Sequence, residues 1–301
     1  MPVSVEVLTQ ETDQRAAWRL LNDCLDYDRF TWTEFTRKTT RDPGYREGLF
    51  LGAYDGSELV GAMVGSLRGQ PPSAECNLKI FGVRRERRGA GVGSLLLKAL
   101  EETVRKMGAT SVDMRGNFLY FFPGLDPRYT PAVAFLLRRR FSRRGEVFNM
   151  RADLRASDFG TEVQEARLRQ EGILIRRLSE DDRQGIEEFM LREFSQTWLM
   201  ETLLAYESEP PTCHIAAVGA RIEAFAACEA CGEGWFGPMG TSPALRGKGI
   251  GRLLMYRCFR DLQARAYKEA VIPWVGPADF YAKFASAWID RVFWQFKKPL
   301  E

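Results

Sequence analysis

The sequence predicts an α/β chain made of two related domains, and three observations lead to that expectation. The phrase Arg88-Gly89-Ala90-Gly91-Val92-Gly93 returns 158 positions later as Arg246-Gly247-Lys248-Gly249-Ile250-Gly251. Each copy follows a strand-like run, over 76–83 and 234–241, and opens a run of helical spacing: Leu95, Leu96, Leu97 and Leu100 in one, Leu253, Leu254, Tyr256 and Cys258 in the other. A length of 301 residues with 45% hydrophobic content suffices for two cores, each in a domain of about 150 residues.

The remaining elements recur in the same order. The first half reads as a strand near 3–8, helices over 14–26 and 33–41, and strands over 49–54 and 59–67. The glycine loop and its helix follow, then a strand at 111–114, a short helix at 131–140 and closing strands over 141–154. The second half repeats this with a strand at 173–177, a helix from Glu180, strands at 214–218 and 222–231, the second loop and helix, a strand at 269–274, a helix at 277–285 and a final strand pair. A polar segment, 155–171, separates the halves as either a linker helix or a mobile tether. The expected division is a first domain over 1–155, a linker over 156–171 and a second domain over 172–301.

Glycines between strand and helix let backbone N–H groups converge on an anion, and the first helical turn adds unpaired donors and the positive end of its dipole. The expected ligand is a phosphate or diphosphate, with Arg88 and Arg246 as candidate partners for its oxygens. Two familiar nucleotide loops do not fit. Gly247-Lys248 is followed by Gly249 where a Walker loop needs a hydroxyl residue, and both copies read G-x-G-x-G where a dinucleotide fingerprint needs G-x-G-x-x-G.

The shared pattern R-x-x-G-x-G between a strand and a long helix resembles the acetyl-coenzyme A signature of the GNAT acyltransferases. The resemblance implies two tandem GNAT folds. Each would be a mixed, mostly antiparallel sheet flanked by helices and splayed at the acetyl-coenzyme A cleft. It places the coenzyme against Arg88, Gly89, Ala90, Gly91, Val92 and Gly93 with strand residues Phe81 and Val83 in the first half. In the second half it places it against Arg246, Gly247, Lys248, Gly249, Ile250 and Gly251 with Met239, Gly240 and Thr241.

The halves differ where chemistry is expected. GNAT enzymes commonly carry an aromatic-Tyr-x-Lys segment whose tyrosine protonates the departing sulfur, and Asp279-Phe280-Tyr281-Ala282-Lys283 matches it, so the resemblance gives Tyr281 that role. The first half reads Phe135-Leu136-Leu137-Arg138 there, and leucine donates no proton. The interval from motif arginine to this phenylalanine is 47 residues in the first half (88 to 135) and 34 in the second (246 to 280). The extra length, around Asn117–Thr130, holds Tyr120 and Tyr129 as alternative acids. It also holds Phe121, Phe122 and Leu125, which would pack against the neighbouring domain. An amine acceptor must also lose a proton, for which Glu229, Glu233, Asp279 and His214 are candidates, Glu229 first.

Composition excludes several other classes. The net charge is only +3, and Arg138-Arg139-Arg140 with Arg143-Arg144 reads as a solvated helix end, so no nucleic-acid partner is expected. The first eight residues lack a basic and apolar leader, and no apolar run approaches about 18 residues, so no membrane partner and a cytoplasmic location are expected. The six cysteines show no framework spacing, and Cys228-Glu229-Ala230-Cys231 lies in a strand-like run that points the two thiols to opposite faces, so no metal is expected. Trp235, Trp274, Trp288 and Trp294 read as core and interface packing rather than a sugar platform. The resulting expectation is a monomeric or homodimeric N-acetyltransferase that moves an acetyl group from acetyl-coenzyme A to a small-molecule amine, such as an amino sugar. The second domain would catalyse and the first would be degenerate. The rival readings are an acetyl-coenzyme A sensor and a protein or peptide N-acetyltransferase.

Overall fold

The strand, glycine turn and helix recur as the sequence predicts, and each pair organises a separate unit of the fold. The structure, a computed structural model, describes residues 2–116 and 118–300. In chain order the elements are β1 (Ser4–Val7), α1 (Glu11–Cys24), α2 (Trp32–Lys38), β2 (Phe50–Asp55), β3 (Glu58–Arg68), β4 (Ala74–Val83), α3 (Val92–Lys106), β5 (Ala109–Met114), α4 (Thr130–Arg138) and β6 (Ser142–Asp153). They continue as α5 (Glu162–Gln170), β7 (Ile173–Arg177), α6 (Arg183–Glu193), α7 (Gln196–Leu203), β8 (Cys213–Val218), β9 (Arg221–Cys228), β10 (Phe236–Thr241), α8 (Ile250–Ala264), β11 (Glu269–Ile272), α9 (Ala278–Ala285) and β12 (Trp288–Pro299).

The chain divides into unit 1, Met1–Val147 with Val292–Glu301, and unit 2, Phe148–Arg291. This differs from a cut at 155 and 172. In unit 1, β1 to β4 form an antiparallel meander, β5 runs parallel to β4, and the strand beside β5 is the chain's own C-terminal end, with Phe296 opposite Met114 and Pro299 opposite Ser111. In unit 2, β7 to β10 form the meander, and β11 takes as partner the latter part of β6, with Ile272 opposite Met150. Residues 292–299 and 142–147 therefore serve unit 1, while 288–291 and 148–153 serve unit 2. The expected final strand pair is one strand, β12. Phe296, 1% exposed, anchors it in the unit 1 core.

The helix after each glycine turn buries one stripe. Leu96, Leu97, Leu100 and Val104 of α3, and Leu254, Cys258, Phe259 and Leu262 of α8, are at most 2% exposed, which fits the 3.6-residue period read from the sequence. Segment 155–171 is helical over Glu162–Gln170 and packs through Leu168 into the unit 2 core. Cys228 ends β9, and Glu229 follows with φ of +55°, so the strand expected over 222–231 stops three residues early. Within unit 1 the inserted loop packs Phe121 4.7 Å from Phe30 and 5.7 Å from Phe35 between ring centres. Asn117 lies outside the described residues.

Each meander ends in a bulged strand that then loses its parallel neighbour. The register passes from Leu78 opposite Gly65 to Ile80 opposite Val64, leaving Lys79 as the extra residue; in unit 2 it passes from Phe236 opposite Cys228 to Met239 opposite Ala226. Pairing of β4 with β5 ends at Asn77 and Asp113, and in unit 2 Trp235, just before β10, forms a parallel bridge with Val271 of β11. Beyond those points the strands part, and a bulge re-aims the backbone there.

Candidate active site

In unit 1 the chain leaves β4 at Val83 and enters α3 through Gly89 and Gly91, with φ of +83° and +88°. A side chain at either position costs about 1–2 kcal/mol in strain, which accounts for the glycines. A Cβ at either would meet nothing within 4 Å, so the turn faces open space. The first-turn amides of α3 point into that space for want of helical acceptors. Arg88 closes the turn from behind, its Nε donating to the Val83 carbonyl at 3.0 Å, as Arg246 Nε donates to the Thr241 carbonyl at 3.3 Å in unit 2. The motif arginine thus spends one donor on its own strand before any ligand is considered.

Beneath this turn lies a cavity of about 460 Å³ whose walls include Ile80, Phe81, Val83, Gly91, Tyr129 and Phe135. Its size lies in the range of small-molecule sites. One wall is the part of β4 beyond its pairing with β5, and Arg88, Arg138 and Arg139 stand along its border. An anion-facing turn, an unpaired strand edge, apolar walls and a cationic border fit a coenzyme with a diphosphate, an amide-rich arm and a thioester. Cys24 also lines the cavity; burial pushes its thiol up, with the Arg88 guanidinium opposing.

Tyr129, at the N-terminus of α4, is the expected alternative acid that reaches this cavity. Its hydroxyl donates to Asp28 Oδ2 at 2.7 Å and accepts from the Tyr27 N–H at 3.2 Å. Tyr120, the other candidate in the insertion, is buried. Leu136, the residue the sequence aligns with Tyr281, is fully buried in the core.

The second turn has the same backbone, with φ of +82° at Gly247 and +75° at Gly249, but different surroundings. The side chain of Gln164, on α5, donates from Nε2 to the Lys248 carbonyl at 3.2 Å. A Cβ on Gly249 would come within 2.6 Å of that nitrogen. Arg252 donates to Gln164 Oε1 at 3.0 Å, and Lys248 pairs with Glu171 at 2.6 Å. Met239 lies against Gly251, where a Cβ would be 3.1 Å from its terminal methyl. Pro238 stands eight residues before Arg246, where Ile80 stands eight before Arg88. The bulge in unit 2 therefore lacks an N–H that unit 1 retains.

Tyr281 is 7% exposed on α9, edge-on to Phe236 at 6.2 Å and to Phe280 at 5.2 Å. Burial pushes its phenol up to about 12, so it stays protonated at neutral pH. Glu229 is engaged elsewhere: it pairs with Arg265 at the C-terminus of α8 and accepts the Gly234 N–H at 3.4 Å. His214, 3% exposed, binds Asp261 Oδ2 at 2.8 Å, and Arg177 holds the same carboxylate through two bonds of 2.7 Å. Burial lowers the His214 pKa while Asp261 opposes, and this triad ties β7 and β8 to α8. The sequence marks the turns and offers Tyr120 and Tyr129 together, whereas Asp28 and Gln164 carry no motif. Among the described residues no helix is long and apolar enough to cross a membrane.

Comparison with known proteins agrees with this architecture. Residues 12–117 and 181–284 match the family model described as the acetyltransferase (GNAT) family. No curated protein matches the chain. Among solved structures, a glucosamine N-acetyltransferase region of a fungal multi-domain β-N-acetylglucosaminidase is similar at 20% identity and a TM-score of 0.81, over 99% of this chain. This chain spans only 38% of that protein's length. A GCN5-related N-acetyltransferase from Sphaerobacter thermophilus is 17% identical with a TM-score of 0.67, over 99% of this chain and 96% of that one. A tandem GNAT protein from the clavulanic acid biosynthesis pathway is 14% identical with a TM-score of 0.71, over 100% and 99%. At these identities the likenesses show the fold, and the family match covers both halves. The chain belongs to the GNAT family and is an acyltransferase composed of two tandem GNAT folds.

Proposed function

We propose that the protein transfers the acetyl group of acetyl-coenzyme A to the primary amine of a small molecule, and that the reaction takes place in unit 1. The observation that carries this reading is the contrast between the turns: Gly89 and Gly91 both face open space above a cavity that Tyr129 lines, whereas in the second turn Gly247 is open but Gln164 overlies Gly249. Acetyl-coenzyme A supplies an activated acyl carbon and a thiol leaving group. The amides of the 88–93 turn hold the diphosphate, and the unpaired edge of β4 aligns the arm. The bulge at Lys79 aims a backbone N–H at the acyl oxygen as charge develops there. Tyr129 returns a proton to the departing sulfur, in place of the missing family tyrosine.

An amino sugar is the first acceptor to try, because one structural relative is described as a glucosamine N-acetyltransferase region. A second reading places catalysis in unit 2 and is favoured by Tyr281, which stands where the family's acid stands. Titrating acetyl-coenzyme A into wild type, Gly91→Glu and Gly249→Glu separates the two, together with coenzyme A release from glucosamine, other small amines and an unblocked peptide. Gly91→Glu should lose binding and turnover while Gly249→Glu keeps both; the reverse pattern assigns the reaction to unit 2. Tight binding with no release from any amine would indicate a sensor.

A further inference from the structure

We infer that Asp28 is the proton reservoir of the reaction, acting through Tyr129. This rests on the reading that unit 1 is the catalytic site. Tyr129 lines the cavity, and its phenol donates to Asp28 Oδ2 at 2.7 Å while the Tyr27 N–H donates to the same phenol oxygen at 3.2 Å. The segment that carries both contacts is clamped. The Tyr27 ring meets the Tyr129 ring edge-on at 5.3 Å, and the Arg128 guanidinium lies 4.2 Å over the Tyr27 ring. Arg128 is in turn fastened to Asp126, itself 2% exposed, through contacts of 2.7–3.1 Å. Asp126 is therefore committed to Arg128, and Asp26, another carboxylate lining the cavity, is exposed and pairs with Arg85 at 3.2 Å. Asp28 accepts a hydrogen bond from the hydroxyl of a residue that lines the cavity.

The chemistry requires such a group. When the amine attacks, a nitrogen–carbon bond forms and the carbon–sulfur bond breaks, and one proton must travel from nitrogen to sulfur. A phenol alone that protonated the sulfur would be left as phenolate. With Asp28 behind it, Tyr129 accepts the proton from nitrogen as it passes its own to Asp28 Oδ2, leaving a neutral carboxyl group. When the carbon–sulfur bond breaks, the same proton returns through Tyr129 to the thiolate. The carboxylate and the phenol are both restored, the net transfer is one proton from nitrogen to sulfur, and no oxidant or further reactant is consumed. Asp28 is thus a positioning and relay residue that acts only through Tyr129.

The test compares Asp28→Asn, Asp28→Glu, Tyr129→Phe and the double variant Asp28→Asn/Tyr129→Phe, with steady-state kinetics and acetyl-coenzyme A binding. Asparagine still accepts the Tyr129 hydrogen bond, and melting curves for both Asp28 variants separate any loss of stability from loss of rate. Asp28→Asn should lose about 100-fold in kcat with little change in KM for acetyl-coenzyme A. Asp28→Glu should recover most of that loss. The double variant should be no slower than Tyr129→Phe, since groups acting as one unit are non-additive. The Asp28→Asn loss should also shrink with a weakly basic amine, whose proton leaves to water unaided. A kcat within two-fold of wild type for Asp28→Asn, beside a collapsed Tyr129→Phe, overturns the inference and leaves the unit 1 reading standing. Additive losses, or losses independent of amine basicity, also overturn it by reducing Asp28 to a structural role. If Tyr129→Phe is as active as wild type, the unit 1 reading itself falls.

Discussion

Gln164 closes over the second glycine turn by donating from its side-chain amide to the backbone carbonyl of Lys248 at 3.2 Å. Its helix is fastened along α8 by Glu165 with Arg257 at 2.7 Å and Glu162 with Arg260 at 2.6 Å, in addition to Glu171 with Lys248. The two more exposed pairs, Glu162 with Arg260 and Glu171 with Lys248, contribute about 0–1 kcal/mol each, and the half-buried Glu165 with Arg257 holds the helix itself, so the cap is a modest barrier rather than a permanent seal. Gln164→Ala should therefore unmask the turn at a stability cost of about 1 kcal/mol. Calorimetry should then detect a second, weaker equivalent of acetyl-coenzyme A where wild type takes up one. Two equivalents bound by the wild-type protein would show that the cap does not matter.

The bulge in β4 is held by a buried ion pair. Lys79, the extra residue, pairs with Asp42 and donates to the Phe118 carbonyl at 3.2 Å, and both charged side chains are at most 1% exposed. Asp42 also accepts the Gly44 N–H at 2.6 Å. Burial lowers the Lys79 pKa and Asp42 opposes that shift. Removing one partner strands a buried cation, so Asp42→Ala should cost about 3–5 kcal/mol in urea unfolding. Because Ile80 and Phe81 follow the bulge into the cavity wall, the variant should also bind acetyl-coenzyme A more weakly. Unchanged coenzyme affinity in a destabilised variant would separate the ion pair from the site.

What was legible in the sequence was local. Gly89, Gly91, Gly247 and Gly249 announce turns that need positive φ, and the leucines after them announce helices, so the tandem fold and its glycine turns could be read directly. Three features could not. The pairing of 296–299 with β5 joins residues nearly 200 positions apart in sequence, and nothing in an alternating apolar pattern names its partner. Gln164 lies in a polar segment with no motif, and only the packing of α5 through Leu168 brings it to the turn. Asp28 belongs to a loop whose carboxylate gains meaning from Tyr129, about 100 residues later. Glu229 shows the limit of a local pattern. In an extended strand it would face a neighbour, but the chain turns at φ of +55° and delivers it to Arg265.

Glu201 on α7 gives the protein a pH signature. It is 8% exposed, and burial pushes its carboxyl up to about 7, against about 4.3 in an unfolded chain. The native state therefore binds this proton more tightly, and the stabilisation it provides, of order 3 kcal/mol, is complete below about pH 4 and lost as pH rises through 7. Glu201→Gln mimics the protonated form. Its melting temperature relative to wild type should increase between pH 5 and pH 8. A difference independent of pH would mean that the carboxyl titrates normally.

Tyr281 provides the sharpest division between the two units. Its ring is packed between Phe236 and Phe280, and burial, which raises its phenol pKa to about 12, keeps the hydroxyl protonated at neutral pH while making it a weaker acid. If the reaction belongs to unit 1, Tyr281→Phe removes only a hydroxyl from a unit 2 core. It should then leave kcat within about two-fold of wild type, whereas loss of a general acid costs about 10²-fold or more. Tyr129→Phe should show the larger loss, with binding of acetyl-coenzyme A preserved. Should the two variants exchange these outcomes, the family tyrosine would be the working acid, and the cap of Gln164 would have to open during each turnover.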